Sequence, residues 1–512
     1  KILSRKRPYS VIIWKGQSRN NRCVIHEEKE PEQITCGTRG IKRVEKRGKT
    51  EVSSMPRKEK AMPVNSFDDY PMSWTPDRED LKFPLYYSLA DLMERDIKSG
   101  KLSANTKLPP QRELADYLDL NLSTITKAYK LCEMRGLIHA VTGKGTFVTP
   151  YANVPTSTVE KNTAPGIELA VIHPFYESNE AIRDLTIDIL KKPFSEQLFE
   201  YSHPLGDRGQ ILTAARWLQR FGLDADEHNT MIAAGAQNAL ATILSSLFEA
   251  GDRIAVDTYT YPNFISLANL LYLQLVPIEN DAWGMCPERL ENACVLQKIK
   301  GIYMMPAGGN PTNIAFSDAR KKEIARIIKE RNLIAVEDDN YAALLEKPYS
   351  PLALDAPEHC IYVSGLSKPL CPGLRIAYLY LPDKYVNPME QGIFSQNLKI
   401  SSLNMEIAAE IIRSGLAWKI IQKKRNAAIA RNEIYSSCFP ENLSGRLCEA
   451  ELSCRGVSVF GAERFTVGNQ GKTNAVRIAT CSAKNEEQLR KGLEILLNFI
   501  RQQEDREPLF IV

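Results

Sequence analysis

The sequence has no run that approaches ~18 apolar residues, so no transmembrane helix is expected. Its eleven cysteines form no Cys-x-x-Cys pair, and no Cys/His cluster shows zinc spacing, so no metal site is expected. Thiols scattered in this way along a long chain read as reduced, which points to a cytoplasmic location. A secretory leader is not visible either: the start is basic, but Val11-Ile-Ile-Trp14 is too short for an apolar signal core. Internal repeats are missing too. What remains is ordinary for a soluble protein, with 43% hydrophobic and 25% charged residues. A chain of 512 residues is too long for one core and predicts two to four domains.

The net charge of +4 conceals an asymmetry. Residues 1–61 hold 17 Lys/Arg against 7 Asp/Glu, a balance of +10, so residues 62–512 carry −6. Low hydrophobicity, many charges and no sustained period predict a disordered basic tail over residues 1–75. No methionine precedes Met55, which fits a natural start at Met55, Met62 or Met72; the alternative is a basic arm that adds non-specific DNA affinity.

Helical periodicity begins at Pro84, with Leu85, Leu89, Leu92, Met93 and Ile97 on one face. A second helix follows Pro109-Pro110, with Leu114, Ala115 and Leu118 inward. Ser123 or Thr124 suits the cap of a third, and residues 137–148 read as a hairpin with glycines at its tip. Three helices and a β-wing place one helix in the major groove of DNA. Residues 150–166 are a Pro/Thr/Asn-rich linker. Beyond it, short apolar strands at 253–256, 301–305, 333–337, 361–364 and 376–381 alternate with helices. This predicts an α/β domain over 167–512, with a mainly parallel sheet covered on both faces. The last ~120 residues, ending in a helix over 486–501, read as a smaller α/β lobe.

Chemistry concentrates in three motifs of that domain: Asn310-Pro-Thr, then Val336-Glu-Asp338-Asp-Asn-Tyr341, then Ser367-Lys368 followed by Arg375. A lysine that forms an imine, an aspartate for a pyridinium nitrogen and an arginine for a phosphate are what pyridoxal 5'-phosphate requires. Gly235-Ala236-Gln237 opens a helix whose free N–H groups suit a dianion. Tyr261 is placed to stack on the ring, and Asn310 and Tyr341 to reach its hydroxyl oxygen. Taken singly, each has a plainer reading: a loop lysine, a turn asparagine, a core aromatic. The joint order and spacing favour the cofactor.

Residues 107–148, through Pro-Pro-Gln-Arg112-Glu-Leu-Ala, Ser123-Thr-Ile-Thr-Lys-Ala-Tyr129 and Gly143-Lys-Gly-Thr-Phe-Val148, resemble the DNA-binding domain of GntR-type bacterial regulators. The resemblance implies that Arg112, Thr124, Thr126 and Lys127 face double-stranded operator DNA and that Lys144 reaches it from the wing. Leu122 stands where that family usually has arginine. The later part resembles fold-type-I aminotransferases. It implies that Lys368 is the Schiff-base lysine and Asp338 the pyridine partner. Asn310, Tyr341, Tyr261, Ala236, Gln237, Ser367 and Arg375 would hold the cofactor. Arg477 looks like the arginine that grips a substrate α-carboxylate. Tyr201 looks like the tyrosine that reaches the neighbouring subunit's phosphate, which implies a homodimer. Gly365 replaces the usual Ser or Thr three residues before the lysine, leaving the phosphate grip weaker or reliant on Ser367. Asn313 and Asn263 stand in for usual glycines.

Winged helix (76–149), linker and aminotransferase-like domain together resemble the MocR-type regulators. The implied function is a PLP-dependent transcription regulator that senses an amino acid or amine through aldimine exchange at Lys368. A working aminotransferase with an accessory DNA-binding domain is the alternative, and the intact lysine–aspartate–arginine set leaves turnover open.

Overall fold

A computed structural model describes residues 11–13, 72–99, 101–103, 106–141, 144–149, 166–439, 449–468 and 475–504. The linker, the wing tip Thr142-Gly143 and most of the basic tail lie outside the described residues.

The N-terminal unit has three helices: α1 (Leu85–Lys98), α2 (Gln111–Leu118) and α3 (Leu122–Met134). Its apolar positions close on one core containing Leu89, Met93, Ile97, Leu114, Leu118, Ile125 and Tyr129. Trp74 joins that core and donates from Nε1 to the buried Asp96 carboxylate (2.9 Å), so the packed unit begins before residue 76. An indole with its one donor satisfied is well suited to such a buried seat. Arg135 ties the end of α3 to α1 through Asp91 and Glu94 (2.6 and 2.8 Å). The α3 cap is Asn121, whose side chain accepts from Ser123 N (2.9 Å), rather than Ser123 or Thr124. Asparagine caps as well as serine does, so composition alone did not locate the boundary. The wing pairs Ile138–Val141 antiparallel with Gly145–Val148.

The large domain is built on a seven-stranded sheet. In spatial order its strands are Thr230–Ala233, Ala377–Tyr380, Cys360–Gly365, Ile334–Asp339, Ile299–Met304, Arg253–Asp257 and Gln274–Ile278. Five of the predicted strands lie here. Four run parallel, but Ala377–Tyr380 is antiparallel to both neighbours, which is why the sheet is mainly rather than wholly parallel. The short return through Pro372–Leu374 leaves no room for a crossover helix, and parallel pairing requires one.

The smaller lobe draws on both ends of the domain. Ile167–Glu168 pairs parallel with Val457–Ser458, and Ile167 and Leu169 pack with Val476, Ile478, Leu489, Leu493 and Phe499. The expectation that the last ~120 residues form this lobe is corrected. Helices Asp383–Asn397 and Ser402–Arg413 pack on the large sheet's helices instead. Val11–Ile13 pairs antiparallel with Val476–Ala479, an ordered piece in a region read as disordered. Its β-branched residues take strand form on an existing edge, a feature invisible in a tripeptide. Among the described residues no helix is long and apolar enough to cross a membrane.

Candidate cofactor site and nucleic-acid interface

Asp338 and Lys368 lie at the carboxyl ends of two adjacent parallel strands, where open α/β sheets bind ligands, and Arg375 lies just before the antiparallel strand Ala377–Tyr380, whose amino end meets the same edge. Lys368 follows the strand Cys360–Gly365 and donates from Nζ to Ile172 O (2.6 Å). Burial, more than the nearby Arg477 and Arg375, pushes its ammonium down to about 8. A lysine so placed supplies free amine near neutral pH. Lys424 braces the same loop, donating to the carbonyls of Lys368 (3.0 Å) and Leu370 (2.7 Å).

Asp338 is the penultimate residue of the neighbouring strand Ile334–Asp339 and is buried. Tyr303 donates from its hydroxyl to Oδ2 (2.8 Å), and Asn340 from Nδ2 to Oδ1 (2.9 Å). Burial raises its carboxyl to about 7 despite these two bonds. Tyr303 is itself fixed by stacking on Phe264, with centroids 3.6 Å apart. Tyr261 sits at the start of that Phe264 helix, close enough to Asp338, Arg375 and Arg477 to feel their charges. Burial chiefly pushes its hydroxyl up to about 12. Tyr341 feels two of these charges, those of Arg477 and Asp338.

A second cradle lies at the start of helix Ala236–Leu247. Its cap, Gly235, has φ +87°, and a Cβ there would come within 2.7 Å of Arg375 Nη2. The missing side chain lets Arg375 lie across a helix N-terminus. Arg375 also donates to Ser367 Oγ (3.3 Å). Ala236 and Gln237, the first residues of this helix, bring backbone N–H groups that have no acceptor within the helix, whereas the buried Gln237 Oε1 is an acceptor and offers an anion nothing. Ser364 is no substitute for the hydroxyl missing at Gly365, because Trp217 Nε1 donates to it (3.0 Å) within the core.

Arg477 is fully buried between the rings of Phe460 and Phe465, 5.1 and 4.8 Å from their centroids. It donates to Asn310 Oδ1 (2.9 Å) and to Ala170 O. Its Nε has no hydrogen-bond partner, and no salt bridge joins it to a carboxylate among the described residues. Burial pushes it down to about 10. An uncompensated buried guanidinium costs stability and suits an anionic ligand. The donor set therefore fits three things at once: a ring cation at Asp338, a dianion at Gly235-Ala236-Gln237 with Arg375, and a carboxylate at Arg477. Tyr201 stands apart from this cluster, 87% exposed.

On the winged helix, Arg112, Thr126, Lys127 and Lys144 are exposed and Thr124 is half-buried. Thr126 Oγ1 donates to Gln111 Oε1 (2.8 Å), which ties α3 to the start of α2. Gln111, Tyr303, Asn340 and Lys424 were not singled out from sequence. Gln111 and Asn340 lie within local motifs, beside Arg112 and Asp338, whereas Tyr303 and Lys424 meet the cofactor site only through the fold.

Residues 197–438 match the model for aminotransferase class I and II, and residues 85–148 that for bacterial regulatory proteins of the gntR family. The Bacillus subtilis HTH-type transcriptional regulator YdeF is 39% identical over 456 residues, covering 85% of this chain and 98% of its own. The vitamin B6 salvage pathway transcriptional repressor PtsJ of Salmonella typhimurium is 27% identical over 292 residues, covering 56% of this chain and 65% of its own. Among solved structures, kynurenine aminotransferase of Pyrococcus horikoshii, in complex with PMP, superposes with a TM-score of 0.62 at 25% identity. That match covers 68% of this chain and 93% of the other.

Proposed function

Because the chain belongs to the MocR-type transcription regulators, with a GntR winged helix joined to an aminotransferase-like domain, we propose that it is a PLP-dependent regulator whose DNA binding responds to an amino acid or amine captured at Lys368. The observation that carries this reading is one cluster: a buried lysine whose ammonium is pushed down toward neutrality, a buried aspartate, and a buried arginine with no carboxylate partner among the described residues.

When bound, PLP supplies an electrophilic carbon and an electron-withdrawing ring. Every other task falls to this chain's residues. Asp338 accepts the ring N–H. The Gly235-Ala236-Gln237 turn, Arg375 and Ser367 hold the phosphate, and Tyr261 covers one face of the ring. Asn310 and Tyr341 reach the ring hydroxyl oxygen. Arg477 takes the effector's carboxylate and, through its bond to Asn310, couples that carboxylate to the ring site. Lys368 would hold the cofactor's electrophilic carbon and, once freed by an effector's amine, would be the group placed to hold or return a proton. Arg112, Thr124, Thr126, Lys127 and Lys144 contact the operator. Exposed Phe194, Phe199 and Tyr201 fit burial against a second copy, with Tyr201 reaching the partner's phosphate site. Two winged helices per dimer then call for paired half-sites. The cell compartment that suits such a protein is the cytoplasm.

The test is absorbance of the PLP-loaded protein during titration with amino acids and amines, with keto-acid release and operator affinity followed in parallel. A compound that shifts the spectrum, releases no keto acid and changes operator affinity supports the regulator. Released keto acid moves the aminotransferase reading forward, which the intact site favours. Operator affinity that follows PLP loading alone would make the cofactor itself the signal, a possibility prompted by the name of the Salmonella relative.

A further inference from the structure

Asp338 is held from two sides. Tyr303, from the adjacent parallel strand, donates to Oδ2, and Asn340, two residues along the same strand's exit, donates to Oδ1. Both bonds are made to carboxylate lone pairs, so both favour the ionised form, and each oxygen keeps a lone pair for another donor. Tyr303 is immobilised by its stack on Phe264. Asn340 is half-buried.

What seats Asn340 is an absence. A Cβ on Gly365 would overlap Asn340 Oδ1 outright, lie 3.0 Å from its Cγ and 3.5 Å from the Cβ of Ala236. Position 365 therefore lies between the Asp338 clamp and the first residue of the helix whose N-terminus faces Arg375. Any side chain there competes with Asn340 for the same space. This gives the departure at Gly365 a physical reason: the site gains a second donor to Asp338 where a hydroxyl would otherwise point.

We propose that Asn340, seated by the bare backbone of Gly365, is a positioning residue that fixes the Asp338 carboxylate for the ring N–H of bound PLP. The inference rests on the PLP reading above. Burial raises Asp338, and Asn340 and Tyr303 oppose that rise. Without Asn340 the carboxyl takes up its proton at higher pH and keeps only Tyr303 to orient it.

The experiment titrates apo-protein with PLP for wild type, Asn340→Ala, Asn340→Asp, Gly365→Ser and Asn340→Ala/Gly365→Ser, following the bound chromophore from about pH 6 to 9. A lost hydrogen bond to a charged group predicts PLP binding weaker by about 10- to 100-fold in Asn340→Ala. Asn340→Asp keeps the shape, removes the donor and adds a like charge, so it should bind more weakly still and move the pH-dependent absorption upward. Gly365→Ser should damage binding in the presence of Asn340 and add little once Asn340 is alanine. Melting of the four apo-proteins that make up the Asn340/Gly365 cycle reads the same steric coupling with no cofactor present. If wild type binds PLP and Asn340→Ala binds equally well with the same pH profile, the inference falls and the PLP reading stands. The same holds if Gly365→Ser does equal harm with and without Asn340. A wild type that shows no PLP chromophore overturns both.

Discussion

Arg112, Thr126, Lys127 and Lys144 of the winged helix stand in solvent, whereas Asp338, Asn310 and Arg477 of the large domain are buried before any ligand arrives. Solvated cations cost folding nothing, and they meet DNA by exchanging counterions. Buried charges cost several kcal/mol each unless something compensates them. One site is therefore neutral toward the stability of its own unit, and the other weakens its unit until it is filled. Binding energy in the large domain should appear partly as relief of that cost, which couples occupancy to the domain's stability.

The sharpest way to break this contrast is Asp338→Ala. It removes the acceptor for a ring cation, so PLP affinity should fall at least about 100-fold, in line with breaking a buried charge pair. The same substitution should change the apo-protein's melting temperature at pH 8 little, because removal of a buried carboxylate with no cation offsets the loss of its hydrogen bonds to Tyr303 and Asn340. Titration of apo-protein with PLP and a thermal melt check the two halves. A large loss of apo stability would show that Asp338 is a structural group, and the contrast would collapse.

A pH series extends the argument. Burial raises Asp257, Glu337 and Asp338 each to about 7. A carboxyl whose folded value lies above its unfolded one binds its proton more tightly when folded, so stability is present at low pH and is lost as pH rises through the folded value. The apo-protein should therefore lose about 2 kcal/mol or more between about pH 4 and 8, measured by denaturant unfolding. PLP supplies Asp338 with a cation and should flatten that slope. Identical slopes with and without PLP would remove Asp338 from the cofactor's partners.

How much of this was legible in sequence follows from how local each feature is. The four parallel strands predicted at 253–256, 301–305, 333–337 and 361–364 each fall within a few residues of the observed elements, because continuous apolar runs bounded by turns mark fully buried strands. Lys368, Asp338, Asn310 and Arg375 carry their chemistry in motifs of a few residues, and the fold brings them together. Tyr303 could not be found that way: it meets Asp338 across two strands, 35 residues apart. The small lobe was misassigned for the same reason, since Ile167 pairs with Val457 across nearly the whole domain. Ser364, next to Gly365 in sequence, accepts from Trp217 in the core, a partner 147 residues away that no local motif reveals.

On the exposed side, Arg112→Ala should weaken operator binding by about 1–3 kcal/mol if Arg112 reads a base and relax selectivity at one position. The melting temperature of the winged helix should not move. Gel-shift titration against the operator and single-base variants checks this. An equal loss on every sequence would make Arg112 a phosphate contact.

The smallest effect is expected at the wing. Lys144 is exposed, beside the strand Gly145–Val148. A wing lysine that touches phosphate displaces about one counterion, so Lys144→Ala should reduce the slope of log affinity against log salt by about 1 and weaken all sequences alike. At high salt, mutant and wild type should therefore converge. Affinity measured at several salt concentrations on operator and random DNA separates the cases. A sequence-selective loss would mean that the wing enters a groove and reads its width, a role the short hairpin Ile138–Val148 could serve only by lying along the minor groove. No change on either DNA would take the wing out of the interface and leave α2 and α3 to carry it.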